Sequence, residues 1–143
     1  MPTVNKSVLV PYAAERMFAL VERVEDYPEF LPWCGGASVH VREPGRMVAT
    51  LLIDYRGLRQ SFTTENLHER EHSIRMRLRE GPFERLDGHW RFSPLSADGS
   101  KVELSLDYAF SGALVSRMLS PVFDQIAVTF VDAFVQRADA IYG

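Results

Sequence analysis

Apolar residues recur at every second position through the middle of this chain and at helical spacing near both ends. Thr3–Val10 is rich in β-branched residues and predicts a first strand, which Pro11 stops. Ala13–Val24 then puts Met17, Phe18, Leu20, Val21 and Val24 on one face, the period of an amphipathic helix. From Ala37 the period changes to two. Val39 and Val41 precede a turn at Pro44-Gly45, and Met47, Ala49, Leu51, Ile53 and Tyr55 alternate through the following strand. Gly57 marks the next turn, and Leu58–Leu67 predicts a further strand with Phe62 near its centre. Ile74, Met76 and Leu78 then alternate with Arg75, Arg77 and Arg79. After a turn at Gly81-Pro82, Leu86, Gly88, Trp90 and Phe92 continue the inward face. Beyond Ala97-Asp98-Gly99-Ser100, so do Val102, Leu104, Leu106, Tyr108 and Phe110. Turns this short make an antiparallel meander the natural topology.

The last segment, Gly112–Tyr142, returns to helical spacing, with Val122, Phe123, Ile126, Phe130, Val131, Phe134, Ala138 and Ile141 forming a broad apolar face. Ser120-Pro121 admits two readings. Ser120 caps a helix with Pro121 in its first turn, or Pro121 kinks one long helix. Such a helix needs a large apolar partner, and the inward face of the meander is the one available. The expected fold is α+β: a helix-grip in which a curved antiparallel sheet wraps a long C-terminal helix, as one domain over residues 1–143.

One segment fits neither period. Asp26-Tyr27-Pro28-Glu29-Phe30-Leu31-Pro32-Trp33-Cys34 holds two prolines, which exclude a regular helix through the whole run. Tyr27, Phe30, Leu31 and Trp33 are too apolar for a solvated loop. The segment is expected either to plug a core or to wall a cavity for an apolar ligand.

Composition narrows the classes. The 143 residues, 46% hydrophobic and 24% charged, are those of an ordinary globular domain. A net charge of −3 gives no global attraction to nucleic acid. One cysteine, Cys34, excludes an intrachain disulfide and argues against a thiolate metal cluster. No stretch is read as reaching the ~20 apolar residues of a membrane span, and Val8-Leu9-Val10 is too short for a signal-peptide core. A cytoplasmic location is expected, with peripheral contact at the inner face of a membrane left open.

Candidate chemistry lies on the two faces of the sheet. Inside, Phe30, Leu31, Trp33, Leu51, Ile53, Tyr55, Phe62, Met76, Phe83, Leu86, Trp90, Phe123, Ile126 and Phe130 either fill the core or line a cavity suited to an isoprenoid or acyl ligand. Gln60, Thr64 and Tyr108, with Tyr55, fall near the inward phase and are candidate polar anchors for a head group. His40, His68, His72 and His89 are scattered, with His68 and His72 flanking a turn, and show no metal-ligand spacing. No catalytic residue is assigned, and no cofactor is required. Outside, Arg75, Arg77 and Arg79, with Arg85 and Arg91 on the hairpin partner, form a basic face. It is either a solvated surface paired with Glu65, Asp87, Glu103 and Asp107, or a contact for RNA or phospholipid.

The run YPEFLPWC, Gly81-Pro82-Phe83, Leu86-Asp87-Gly88-His89-Trp90-Arg91-Phe92, Phe134 and Arg137-Ala138 together resemble the coenzyme-Q-binding protein family. That START-like (Bet v 1-like) group is related to polyketide cyclases, and its bacterial branch includes the ribosome association toxin. The resemblance covers essentially the whole chain. It implies a helix-grip fold with a cavity between sheet and C-terminal helix. It further implies non-enzymatic binding of ubiquinone or a similar polyprenyl lipid in support of respiratory electron transfer. A second implied role is binding to the large ribosomal subunit to block subunit joining, with a small ubiquitin-like antitoxin as partner. A third is polyketide aromatase or cyclase activity, for which buried titratable residues would be needed.

Overall fold

The computed structural model describes residues 3–55, 57–70 and 72–143, without the side chains of residues 69 and 70. In chain order the elements are β1 (Thr3–Val10), α1 (Ala14–Glu22), a 3-10 turn (Val24–Asp26), α2 (Tyr27–Phe30) and β2 (Cys34–Glu43). There follow β3 (Arg46–Tyr55), β4 (Leu58–Arg70), β5 (Ser73–Glu80), β6 (Phe83–Ser96), β7 (Gly99–Phe110) and α3 (Ala113–Tyr142). The strands form one antiparallel sheet in the order β1-β7-β6-β5-β4-β3-β2. The meander is therefore continuous from β2 to β7, and β1 returns to close the far edge against β7. This is the expected helix-grip.

The inward face follows the period of two. On β7, Val102, Leu104, Leu106, Tyr108 and Phe110 are all buried, and the residues between them are more exposed. On β6, Leu86, Gly88, Trp90 and Phe92 are buried in the same way. Gly45 and Gly57 adopt φ of +81° and +84° at the β2–β3 and β3–β4 turns, a region that side chains with a Cβ rarely enter.

α3 crosses this face as one uninterrupted helix that contains Pro121. Ser120 lies inside the helix, and Gly112 occupies its N-cap, so the two-helix reading is excluded. Val131, Phe134 and Ala138 are fully enclosed. By length and composition α3 is apolar enough to cross a membrane, with a mean hydropathy of 1.4 over its best 18-residue window. That corrects the expectation that no such stretch exists: charged Arg117 and Asp124 interrupt the apolar run without lowering the average enough. Here the buried side of the helix is the stripe that closes the core.

α3 is fastened toward one side of the sheet. Lys6 on β1 pairs with Asp132 at 3.6 Å, Tyr108 on β7 donates a hydrogen bond to Asp124, and Tyr12 donates to Asp139. Tyr142 donates to the carbonyl of Arg16 on α1 at 3.1 Å. The helix thus packs most closely over β1, β7 and α1, and meets β4 through Phe123 and Phe62, whose ring centroids are 6.5 Å apart.

Several boundaries differ from the sequence reading. The first helix is shorter, ending at Glu22 before the 3-10 turn, because the chain must bend to carry the Pro-rich run across the open end. Tyr27–Phe30 within that run makes a single helical turn, with Pro28 in its first positions where no donor is needed. β2 begins at Cys34 and β4 extends to Arg70, since cross-strand pairing with β3 and β5 carries them past their apolar alternation. His68 consequently lies in a strand.

Candidate functional site

A cavity of about 60 Å³ lies between α3 and the inward face of the sheet, with lining residues from every strand from β3 to β7. Of the residues expected to line it, Trp33, Leu51, Phe62, Met76, Leu86, Trp90, Phe123, Ile126 and Phe130 do so. Val24, Tyr27, Ala49, Thr64, Asn66, Leu106 and Ala127 complete the wall. Trp33 from the Pro-rich run and Phe130 from α3 meet with ring centroids 5.9 Å apart, and Phe130 in turn lies 5.7 Å from Trp90.

The other candidates sit elsewhere. Phe30 packs edge-on to Phe134, with the Arg137 guanidinium 5.0 Å from its ring centroid. Leu31 and Ile53 are buried core residues behind the cavity wall, and Tyr55 is half-buried near the β3–β4 turn. Phe83 stacks on Phe110 at 4.8 Å and meets Phe123 at 5.1 Å, an aromatic plug at one end of the grip. Period identifies the face on which a side chain stands. It does not say whether another side chain covers it, and the apolarity of the Pro-rich run likewise does not separate Phe30 and Leu31 from Trp33, which does reach the cavity.

Of the polar anchors, Thr64 alone borders the cavity. Gln60, paired in register with Ile53, is exposed close to the β3–β4 turn, where the sheet runs out beyond its cover. Tyr108 is buried but uses its hydroxyl on Asp124, and burial together with that bond raises its pKa. Asn66, absent from the sequence-based candidates, is as buried as Thr64, and the Thr64 hydroxyl donates to its Oδ1 at 3.0 Å. The signal that finds it is the same alternation that places Phe62 and Thr64 inward, continued by one step. Tyr27 also borders the cavity, but its hydroxyl donates to the Val21 carbonyl, and burial pushes its pKa upward. Cys34 is buried, its thiol donating to the Gly36 carbonyl at 3.3 Å, and burial likewise raises its pKa.

On the outer face the arginines stand where the alternation puts them. Arg77 is flanked in register by Glu65 on β4 and Asp87 on β6. Glu65 accepts from Arg46 at 2.6 Å and lies 3.7 Å from Arg79, and the Arg46 bond holds its carboxyl below the usual range. Arg85 makes a two-pronged contact with Asp107, both bonds at 3.1 Å. Arg75 faces His89, whose ring bonds to Ser73 at 2.8 Å, and Arg91 stands between Ser73 and Glu103. The face is thus a mosaic of both signs, its acids interleaved with the arginines.

The family model for polyketide cyclase / dehydrase and lipid transport matches residues 10–135, which span every element described above except the first strand and the last turns of α3. The chain belongs to that family. Within the polyketide cyclase and lipid transport family it is 43% identical over 140 residues to the ribosome association toxin RatA of Pseudomonas aeruginosa, covering 98% of this chain and 97% of that protein. It is 29% identical to the mitochondrial coenzyme Q-binding protein COQ10 homolog B of Xenopus laevis, across 97% of this chain and 59% of that longer protein. Among solved structures, the ZhuI aromatase/cyclase of Streptomyces sp. R1128 superposes with a TM-score of 0.85 at 20% identity, covering 96% of this chain and 93% of that one. That last likeness is one of fold.

Proposed function

We propose that this protein binds ubiquinone or a similar polyprenyl lipid between sheet and α3, without catalysing a reaction on it, and so supports respiratory electron transfer. The observation that carries this reading is the cavity itself: an apolar chamber with a buried Thr64–Asn66 pair on one wall. Burial of an isoprenoid chain supplies the driving force at about 25 cal/mol per Å², and a small polar patch orients a head group. The likeness to a coenzyme Q-binding protein supports it further. Acid–base catalysis has little to work with here, because among the described residues the lining holds no carboxylate, histidine or lysine and its tyrosine hydroxyl is already engaged.

The cavity, at about 60 Å³, is well below the roughly 300 Å³ of small-molecule pockets. Ligand entry therefore displaces a wall, and the Trp33–Phe130 contact is the seam between two different elements. Organic extraction of freshly purified protein, followed by mass spectrometry, is expected to return a prenyl quinone that Phe130→Asp or Trp33→Asp loses. Absence of saturable quinone binding by detergent-free protein would end this reading.

A second reading is favoured by the 43% identity to a ribosome association toxin. It assigns the chain to the cytoplasm and its outer sheet face, with Arg77 and Arg91, to the large ribosomal subunit. Cosedimentation with that subunit is expected at low salt and lost as salt rises, because phosphate contacts release counterions. No cosedimentation at low salt would remove it.

A further inference from the structure

Resting on the ligand-binding reading above, we propose that the inward column of β4 is a two-point grip for a head group carrying two hydrogen-bonding oxygens, with Asn66 holding one and His68 the other. The inward positions of β4 read Phe62, Thr64, Asn66 and His68. Their neighbours across the sheet are apolar: Met47 and Ala49 on β3, Met76 and Leu78 on β5. Three consecutive polar positions on the covered face of a strand are unfavourable unless something satisfies them, since a buried polar group without a partner costs stability.

Only part of that demand is met from within. The Thr64 hydroxyl donates to the Asn66 carbonyl oxygen. Among the described residues, the Nδ2 group of Asn66 donates to none, although the side chain borders the cavity and is only 7% exposed. His68 carries the second unmet group. Its Nε2 is enclosed and without a partner among the described residues, while the ring packs edge-on to Phe18 of α1 at 5.1 Å. Asn66 and His68 stand two residues apart on one strand, about 7 Å along its axis, too far for their own backbone positions to bring a direct bond within easy reach. A molecule with oxygens at opposite ends of a flat ring spans that gap.

The chemistry selects a para-quinone over a prenyl alcohol or a hydrocarbon. A quinone presents two carbonyl acceptors across one ring. Asn66 Nδ2 donates to the first, and His68 Nε2, in the tautomer that carries its proton there, donates to the second. The apolar chain then lies along Trp33, Phe130 and Ile126. His68 is one inward step beyond the present cavity wall, so the enlargement that ligand entry requires runs along β4 toward α1 and Phe18.

The test measures dissociation constants for a short-chain ubiquinone, geranylgeraniol and squalene by displacement of an environment-sensitive dye, in the wild type and in Asn66→Leu, His68→Leu and Asn66→Ser. Melting temperatures confirm that each variant is folded. Removing either donor is expected to weaken ubiquinone roughly tenfold, the weight of one buried hydrogen bond. Squalene binding stays unchanged, and Asn66→Ser recovers part of the loss. Geranylgeraniol, with one oxygen, is expected to respond to Asn66→Leu and not to His68→Leu. Wild-type affinity for ubiquinone in both leucine variants overturns the two-point grip while leaving lipid binding intact. Equal affinity for ubiquinone and squalene in the wild type overturns it too. Binding of none of the three by the wild type removes the underlying reading as well.

Discussion

Met76 and Gly88 face each other across the β5–β6 pair, and the terminal methyl of Met76 occupies the space that a Cβ at position 88 would fill. Leu106 closes the same space from β7, its Cδ1 at 3.2 Å from that Cβ position. The missing side chain at 88 is therefore what lets Met76 lie flat on the sheet and leave the cavity open beside it.

Gly88→Ala is expected to drive the flexible Met76 side chain off the sheet and into the cavity. Overpacking of this kind costs about 1–3 kcal/mol, at the low end here because a thioether tip moves easily. Urea unfolding measures the cost and quinone titration the loss of binding. A variant that folds normally and binds as before would show that Met76 has another place to go.

Phe134 holds the grip closed from α3. It is fully enclosed and meets Tyr27, Phe30, Trp90 and Phe130 edge-on at 5.2–5.4 Å. Phe134→Ala is expected to lower stability by about 3–5 kcal/mol. Val128→Ala on the exposed side of the same helix should stay within about 0.5 kcal/mol. Denaturant midpoints for the two variants give the comparison, and equal effects would contradict the assigned helix face.

The Tyr108–Asp124 bond ties α3 to β7, and Tyr108→Phe is expected to cost about 1 kcal/mol. Its pH dependence has a definite sign. The folded protein holds the phenolic proton more tightly than the unfolded chain, whose tyrosine titrates near 10. The stabilisation is fully present below pH 10 and fades as pH rises above it. The stability gap between wild type and Tyr108→Phe should therefore shrink in alkali. A gap that widened there would reverse the assignment.

Cys34 is buried with its thiol pKa raised, so little thiolate is present at neutral pH. Labelling by a disulfide reagent is expected to be slow in the native protein and to accelerate on unfolding in urea. Native labelling as fast as that of an unfolded control would mean that the Pro-rich segment opens readily.

Much of the architecture is legible in the order of residues alone. The period of two in Val102–Phe110 and Leu86–Phe92, the turns at Pro44-Gly45 and Gly81-Pro82, and the helical stripe of α3 as far as Ala138 each reflect local geometry, because side-chain direction repeats with the backbone. Ile141, expected on that stripe, is instead exposed near the end of the helix. The arginine face and its acids follow from the same rule. What order alone leaves open is depth. Ile53 shares the inward phase with Leu51 and Phe62, yet it fills the core while the latter two border a void. That difference comes from where α3 comes to rest: Tyr108–Asp124, Tyr12–Asp139 and Lys6–Asp132 draw it toward β1 and β7, and β4 is left partly uncovered. Asn66 is inward by sequence, but its place on a cavity wall exists only because a helix more than forty residues later leans the other way. Local periodicity assigns faces; the sum of long-range contacts decides which part of a face remains unfilled.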